Sequence, residues 1–222
     1  MTVRFDALIF DFDGVLLESE YAGNLHLAET LTGLGHPTTI ADSMAHYMGL
    51  AGQDFLAAIA DRIGQPVPEG FHAIRAEEDA RAIREGIAEV AGAVAFVRGL
   101  PADLPRAIAS SSSTAWIRAH LSHLGLRDAF GDHLYSGREH VTRGKPAPDL
   151  YLFAADALGV DIARCAIIED SPVGVTGALA SGAHVIGLCA GMHCAADHAD
   201  RLRALGVIDV AADFGEVARL IA

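Results

Sequence analysis

Short apolar runs alternate along the chain with longer stretches in which apolar residues return every three or four positions. That alternation predicts parallel β-strands joined by helices. The runs read as strands are Leu8-Ile9-Phe10, Ala107-Ile108-Ala109, Ala166-Ile167-Ile168 and Val185-Ile186-Gly187, with weaker ones at Leu134-Tyr135 and Ile208-Asp209-Val210. Three of them run directly into polar residues: Asp11, Ser110 and Glu169-Asp170. In an open parallel sheet the carboxyl ends of the strands line the ligand crevice, so these residues are expected to converge.

Between the first two strands the pattern changes. From about residue 20 to residue 84 the periodicity is helical, with predicted helices over 21–34, 40–46, 53–63 and 71–84, punctuated by Gly33, Gly49, Gly52 and Pro66-Val67-Pro68. The expected architecture is α/β: a Rossmann-like parallel sheet core over residues 1–17 and 88–222, with residues 18–87 inserted as an all-helical cap.

Composition narrows the function. The 222 residues are 51% hydrophobic and 20% charged, an ordinary globular balance. No apolar run reaches the ~18 residues of a membrane helix, and the N-terminus lacks a signal-peptide pattern. A soluble, cytoplasmic monomer is expected. The net charge of -13 argues against a nucleic-acid partner. It also means that an anionic ligand could be held only by local cations and amide dipoles. Three cysteines are too few for a disulfide framework. Cys165 reads as a small packed hydrophobe. Cys189 and Cys194 lie near His193 and His198 but without paired metal-ligand spacing, so zinc is not expected.

Four segments carry candidate chemistry. In Phe10-Asp11-Phe12-Asp13-Gly14-Val15 two aspartates two positions apart leave a strand on the same side, and the glycine permits a tight turn. One carboxylate could attack phosphorus while the other manages the leaving group's proton, although such pairs also occur in calcium loops. Ser110-Ser111-Ser112-Ser113-Thr114 offers hydroxyls and amides before the helical run 116–124, suited to phosphate; helix capping is the simpler reading for all but Ser110. Lys145, the only lysine against fifteen arginines, lies between Gly144 and Pro146 and could supply a point charge to a phosphate and to Asp11. Asp149 is expected to serve the N-terminus of the following helix. Glu169-Asp170 end a strand, with Ser171 and Pro172 placed as N-cap and first helical residue, which suits a hard cation such as Mg²⁺.

In this order and context the four segments resemble the haloacid dehalogenase superfamily across the whole chain. The resemblance is nearest to the branch of β-phosphoglucomutase and sugar-phosphate phosphatases, although that branch usually carries Asp where Glu18 stands. It implies a phosphatase acting on a small phosphomonoester, a sugar or sugar-acid phosphate. Asp11 would be the nucleophile that is transiently phosphorylated, and Asp13 the acid and base. Ser110 and Lys145, with Ser111 beside them, would hold the phosphoryl oxygens. Mg²⁺ would be bound by Asp11, the Asp13 carbonyl and Asp170, with Glu169 in support. Gly49, Gly52 and Gln53 would form a specificity loop.

Within that resemblance, Asp13 argues against dehalogenation, and a cap without lysine argues against phosphonate hydrolysis through a Schiff base. A phosphosugar mutase is the alternative. The histidine and arginine that similar mutases carry in the cap fall on Gly23 and Gly52 here, which favours the phosphatase, with His26 or Arg75 left as substitutes that would restore the mutase reading. A catalytically silent binding module would be expected to have lost Asp11, Asp13 or Lys145. His193 ends a loop, residues 187–193, that resembles one in related phosphatases; it could approach the site, but a surface histidine is the simpler reading.

Overall fold

The computed structural model describes residues 3–48, 50 and 52–222. The chain divides into two compact units, one made of the residues up to Glu18 together with Ala88–Ala222, the other of Ser19–Ile87.

The second unit is helical: α1 (Ser19–Gly33), α2 (Ile40–Tyr47), α3 (Gly52–Ile63) and α4 (Phe71–Glu85). Leu27, Leu31, Tyr47, Ile59 and Phe71 form its core. Thr39 caps α2 in a reciprocal box with Asp42, which satisfies two amides that the helix cannot use itself. Inside the unit, Asn24 accepts a buried hydrogen bond from Ser43 Oγ at 2.8 Å, linking α1 to α2.

The first unit is a six-stranded parallel sheet. Its strands are β1 (Ala7–Phe10), β2 (Arg106–Ser110), β3 (Leu134–Ser136), β4 (Cys165–Glu169), β5 (His184–Leu188) and β6 (Asp209–Ala211), in the order β3-β2-β1-β4-β5-β6. Helices α5 (Ala93–Gly99), α6 (Thr114–His123), α7 (Arg127–Phe130), α8 (Asp149–Leu158), α9 (Pro172–Ser181), α10 (His198–Ala204) and α11 (Phe214–Leu220) complete it. Every residue of β1, β2 and β4 is buried, which is why these strands read as continuous apolar runs rather than alternating ones. One face of the sheet packs Ile9, Ala109 and Ile167 with Leu150, Tyr151 and Ala154 of α8 and Val175 and Ala178 of α9. Phe10 contributes edge-on contacts to Phe96 and Phe130.

The α/β architecture expected from the alternation is therefore the one observed, with small shifts at element ends. Ile208 was expected to open the last strand; it is 89% exposed, and the pairing of β6 begins at Asp209. The order of the strands positions the chemistry. Chain progression runs outward from β1 through β2 to β3, then returns to place β4 on the other side of β1. The switch in direction thus falls at β1, where side chains leaving the sheet leave a crevice between diverging connections. Phe10 is level with Ile108 and Ile168 in the two neighbouring strands, so Asp11, Ser110 and Glu169 leave the same edge of the sheet. Among the described residues no helix is long and apolar enough to cross a membrane.

Candidate active site

At that edge Lys145 Nζ stands 2.8 Å from Asp11 Oδ1 and 2.7 Å from Glu169 Oε1, with the lysine side chain only 3% exposed. A buried ammonium is tolerable only when paired, and here two carboxylates flank it. Glu169 is held at every corner. Tyr151 of α8 donates to Oε1 at 2.9 Å, while the Ser171 amide and hydroxyl donate to Oε2 at 2.8 and 3.1 Å. Ser171 also caps α9 by accepting from the Gly174 amide, and Pro172 fills the first helical position. Gly174 has to be glycine, because a Cβ there would overlap the Glu169 carboxylate. The Lys145-Pro146 bond is cis. Asp149, expected at a helix N-terminus, lies in the first turn of α8 and pairs with Arg143 at 2.7 Å.

These contacts set the charge states. Burial works against the lysine cation, but Asp11 and Glu169 outweigh it and hold the Lys145 pKa well above its ordinary value. Burial pushes the Asp11 carboxyl well above the usual range against the pull of Lys145, and Glu169 and Asp170 add to the upward push. For Glu169 burial is overcome by Lys145, Ser171 and Tyr151, so its pKa is lowered. One lysine therefore does not neutralise the acids crowded around it.

Asp13 follows two residues after Asp11, in a turn that Gly14 closes with φ of +79° and an amide bond to the Leu17 carbonyl. Its carboxylate accepts from Ser110 Oγ at 3.2 Å and Ser112 Oγ at 2.6 Å through one oxygen, and from Trp116 Nε1 at 3.2 Å through the other. Ser112 and Trp116 were missed in the sequence: the serine run was read as capping beyond Ser110, yet only Ser113 caps α6, through the Trp116 amide. Ser111 is exposed just past β2.

Asp170 follows β4 and is buried. His193 Nε2 lies 2.8 Å from Asp170 Oδ2, and His198 Nε2 lies 2.7 Å from the Asp170 carbonyl oxygen. The expectation that His193 is a surface residue is therefore wrong. It is 3% exposed, because the 189–194 loop folds back toward the Asp11–Asp13 turn. Glu18 holds that loop, accepting from the Met192 amide at 3.1 and 3.0 Å through its two oxygens, and burial raises its pKa. The contacts of Tyr151, Glu18 and His193 had no local signal, since each reaches a residue in another segment of the chain.

Carboxylate oxygens of Asp11, Glu169 and Asp170 lie within 4.8 Å of one another, all buried. Hard oxygen donors in excess over the available positive charge fit a small divalent cation. Gly14 keeps the space: a Cβ there would overlap Asp170 Oδ2. Of the specificity loop, Gly49 lies outside the described residues, and Gly52 and Gln53 are exposed at the start of α3 in the helical unit.

A family model described as hydrolase, haloacid dehalogenase-like hydrolase, matches residues 5–182. The chain belongs to that family. It is 32% identical to hexitol phosphatase A of Escherichia coli K12, over 83% of each chain. It is also 32% identical to fructose-1-phosphate phosphatase YqaB of the same organism, over 82% of this chain and 95% of the relative. A haloacid dehalogenase family hydrolase from Deinococcus radiodurans R1, solved with bound phosphate and sodium, superposes with a TM-score of 0.87 at 34% identity, covering 99% of this chain and 96% of that one.

Proposed function

We propose that this hydrolase is a Mg²⁺-dependent phosphatase of a small phosphorylated sugar, sugar acid or polyol, working through an aspartyl-phosphate. The observation that carries the reading is the meeting of Asp11, Lys145, Glu169 and Asp170 at the sheet's switch point. Two of its relatives are named as phosphatases of a hexitol phosphate and of fructose 1-phosphate, which supports the substrate class.

Asp11 Oδ attacks phosphorus as the bond to the leaving alkoxide breaks, and Asp13 gives the alkoxide its proton. Asp13 then takes a proton from water, which attacks the phosphorus of the aspartyl-phosphate and returns Asp11 as a carboxylate with release of phosphate. Ser112 and Trp116 orient Asp13 for both transfers. Lys145 and Ser110, with Ser111, hold the phosphoryl oxygens, and Glu169 fixes Lys145. Asp11, Asp170 and the Asp13 carbonyl would hold Mg²⁺, which supplies neutralisation of the charge on the transferring phosphoryl group. Gly49, Gly52 and Gln53 would select the alcohol.

The test is phosphate release from a panel of phosphorylated metabolites and p-nitrophenyl phosphate, with Mg²⁺ and with EDTA. Asp11→Asn should abolish turnover with the fold retained, and near-wild-type turnover would reject the nucleophile. β-Glucose 1-phosphate is assayed for isomerisation as well; formation of glucose 6-phosphate would make the chain a mutase instead.

A further inference from the structure

Beside the carboxylate cluster is a second set of donors of different chemistry. Ring nitrogens of His193 and His198 and the Cys194 sulfur lie within 4.8 Å of one another. His193 Nε2 is 3.6 Å from Cys194 Sγ and 2.8 Å from Asp170 Oδ2, so one ion in front of that nitrogen reaches both neighbours. A tetrahedral zinc ion, with Zn–S of about 2.3 Å and Zn–N of about 2.0 Å, separates its sulfur and nitrogen ligands by about 3.5 Å. His198 supplies independent support. A carbonyl oxygen only accepts, so the bond to Asp170 places the N–H on Nε2 and leaves the lone pair on Nδ1. That nitrogen is buried and has no hydrogen-bond partner among the described residues. Ligating histidines are oriented in this way, one nitrogen donating to a carbonyl and the other left for the metal.

The loop that presents these groups is itself supported. Glu18 ties down the Met192 amide through both carboxylate oxygens. The Cys194 amide closes a turn on the Gly191 carbonyl at 3.0 Å. A Cβ on Gly191 would come within 2.6 Å of His193 Nδ1, so a side chain there would displace the ring.

We propose that His193, Cys194, His198 and Asp170 form a binding site for a borderline-soft divalent cation of the zinc class. On binding, the Cys194 thiol gives its proton to solvent and the thiolate takes the metal. Asp170, one of the acidic donors, would enter this site through its oxygen 2.8 Å from His193 Nε2. A zinc-class ion therefore withdraws a ligand from Mg²⁺, and this competition alone rests on the function proposed above.

Co²⁺ added to the metal-free full chain, without substrate, reads the site directly and independently of phosphatase activity. The expected spectrum has a thiolate-to-cobalt charge-transfer band in the near ultraviolet that Zn²⁺ abolishes by displacement. Cys194→Ser should remove the band and weaken Zn²⁺ binding by at least about tenfold, the least that loss of even an outer partner costs. Cys189→Ser should keep it. His198→Gln, which leaves the thiol in place, is the second variant and should lower Co²⁺ affinity by a similar factor. Thermal unfolding of the metal-free variants checks that each is folded. No band in the wild type, a band that survives Cys194→Ser, or His198→Gln with unchanged affinity overturns the site. A band that Mg²⁺ leaves unmoved overturns the sharing of Asp170.

Discussion

Replacing Gly14 by alanine separates the cost of the turn from the cost to the proposed metal ligand Asp170. Gly14 has φ of +79°, a region where a Cβ costs about 1–2 kcal/mol. The new Cβ would also overlap Asp170 Oδ2 and stand 2.9 Å from its Cγ and 3.0 Å from His193 Cε1. His193 blocks part of the escape, so the carboxylate has to retreat by about 1 Å. A displacement of that size in a catalytic arrangement costs about 10²-fold in rate. Gly14→Ala is thus expected to lose only about 1–2 kcal/mol of unfolding free energy but about 10²-fold in kcat/KM, with the Mg²⁺ midpoint moved to higher concentration. Urea unfolding measures the first quantity, and initial rates on p-nitrophenyl phosphate across a Mg²⁺ titration measure the other two. A variant with the expected stability loss and wild-type kcat/KM and Mg²⁺ midpoint would refute the claim that Gly14 reserves space for Asp170.

Other outcomes follow from single contacts. Lys145→Met strands Asp11 and Glu169 without their cation and should destabilise the fold by about 3–5 kcal/mol in denaturant titrations at neutral pH; a loss below about 1 kcal/mol would contradict the buried pairing. Ser112→Ala removes a 2.6 Å bond to a carboxylate, worth about 1.5–3 kcal/mol, and should lower kcat by about 10- to 10²-fold. Ser113→Ala, which removes only the α6 cap, should cost about 1 kcal/mol of stability with kcat unchanged. Burial holds fully buried His120 at about 4. Between that value and the unfolded value of about 6.5 the unfolded chain binds a proton that the folded chain does not, so stability is full above pH ~6.5 and falls by about 3 kcal/mol toward pH ~4. His120→Leu should flatten that slope when unfolding is measured across the window.

The sequence was most informative where physics is local. β1, β2 and β4 are buried on both faces, so their strand character was written as uninterrupted apolar runs, and their polar ends fell where the chain leaves the sheet. The Ser171-Pro172 start of α9 was equally visible, since capping involves only near neighbours. Contacts between distant segments were harder to see. Tyr151 looks like any apolar-face residue of α8 until Glu169 is found at its hydroxyl. Ser112 was hidden in a run whose capping explanation was adequate for Ser113 alone. His193 lay in a glycine-containing loop that looked exposed, yet it faces inward onto Asp170 while Glu18 holds the Met192 amide beside it. Spacing gave no reason to group His193, Cys194 and His198, and that their side chains meet became visible only in the fold.

Because the single lysine of the chain is the ammonium wedged between Asp11 and Glu169, every exposed positive side chain other than histidine is a guanidinium. Selective ¹⁵N-lysine labelling would give one side-chain resonance, arising from the reacting centre with no background from the surface. Under the proposed mechanism its chemical shift would follow Asp11 as that carboxylate changes between free and phosphorylated forms. Amine-directed acylation would conversely find no exposed side-chain amine on the folded protein, and side-chain modification would mark the moment when this interior opens.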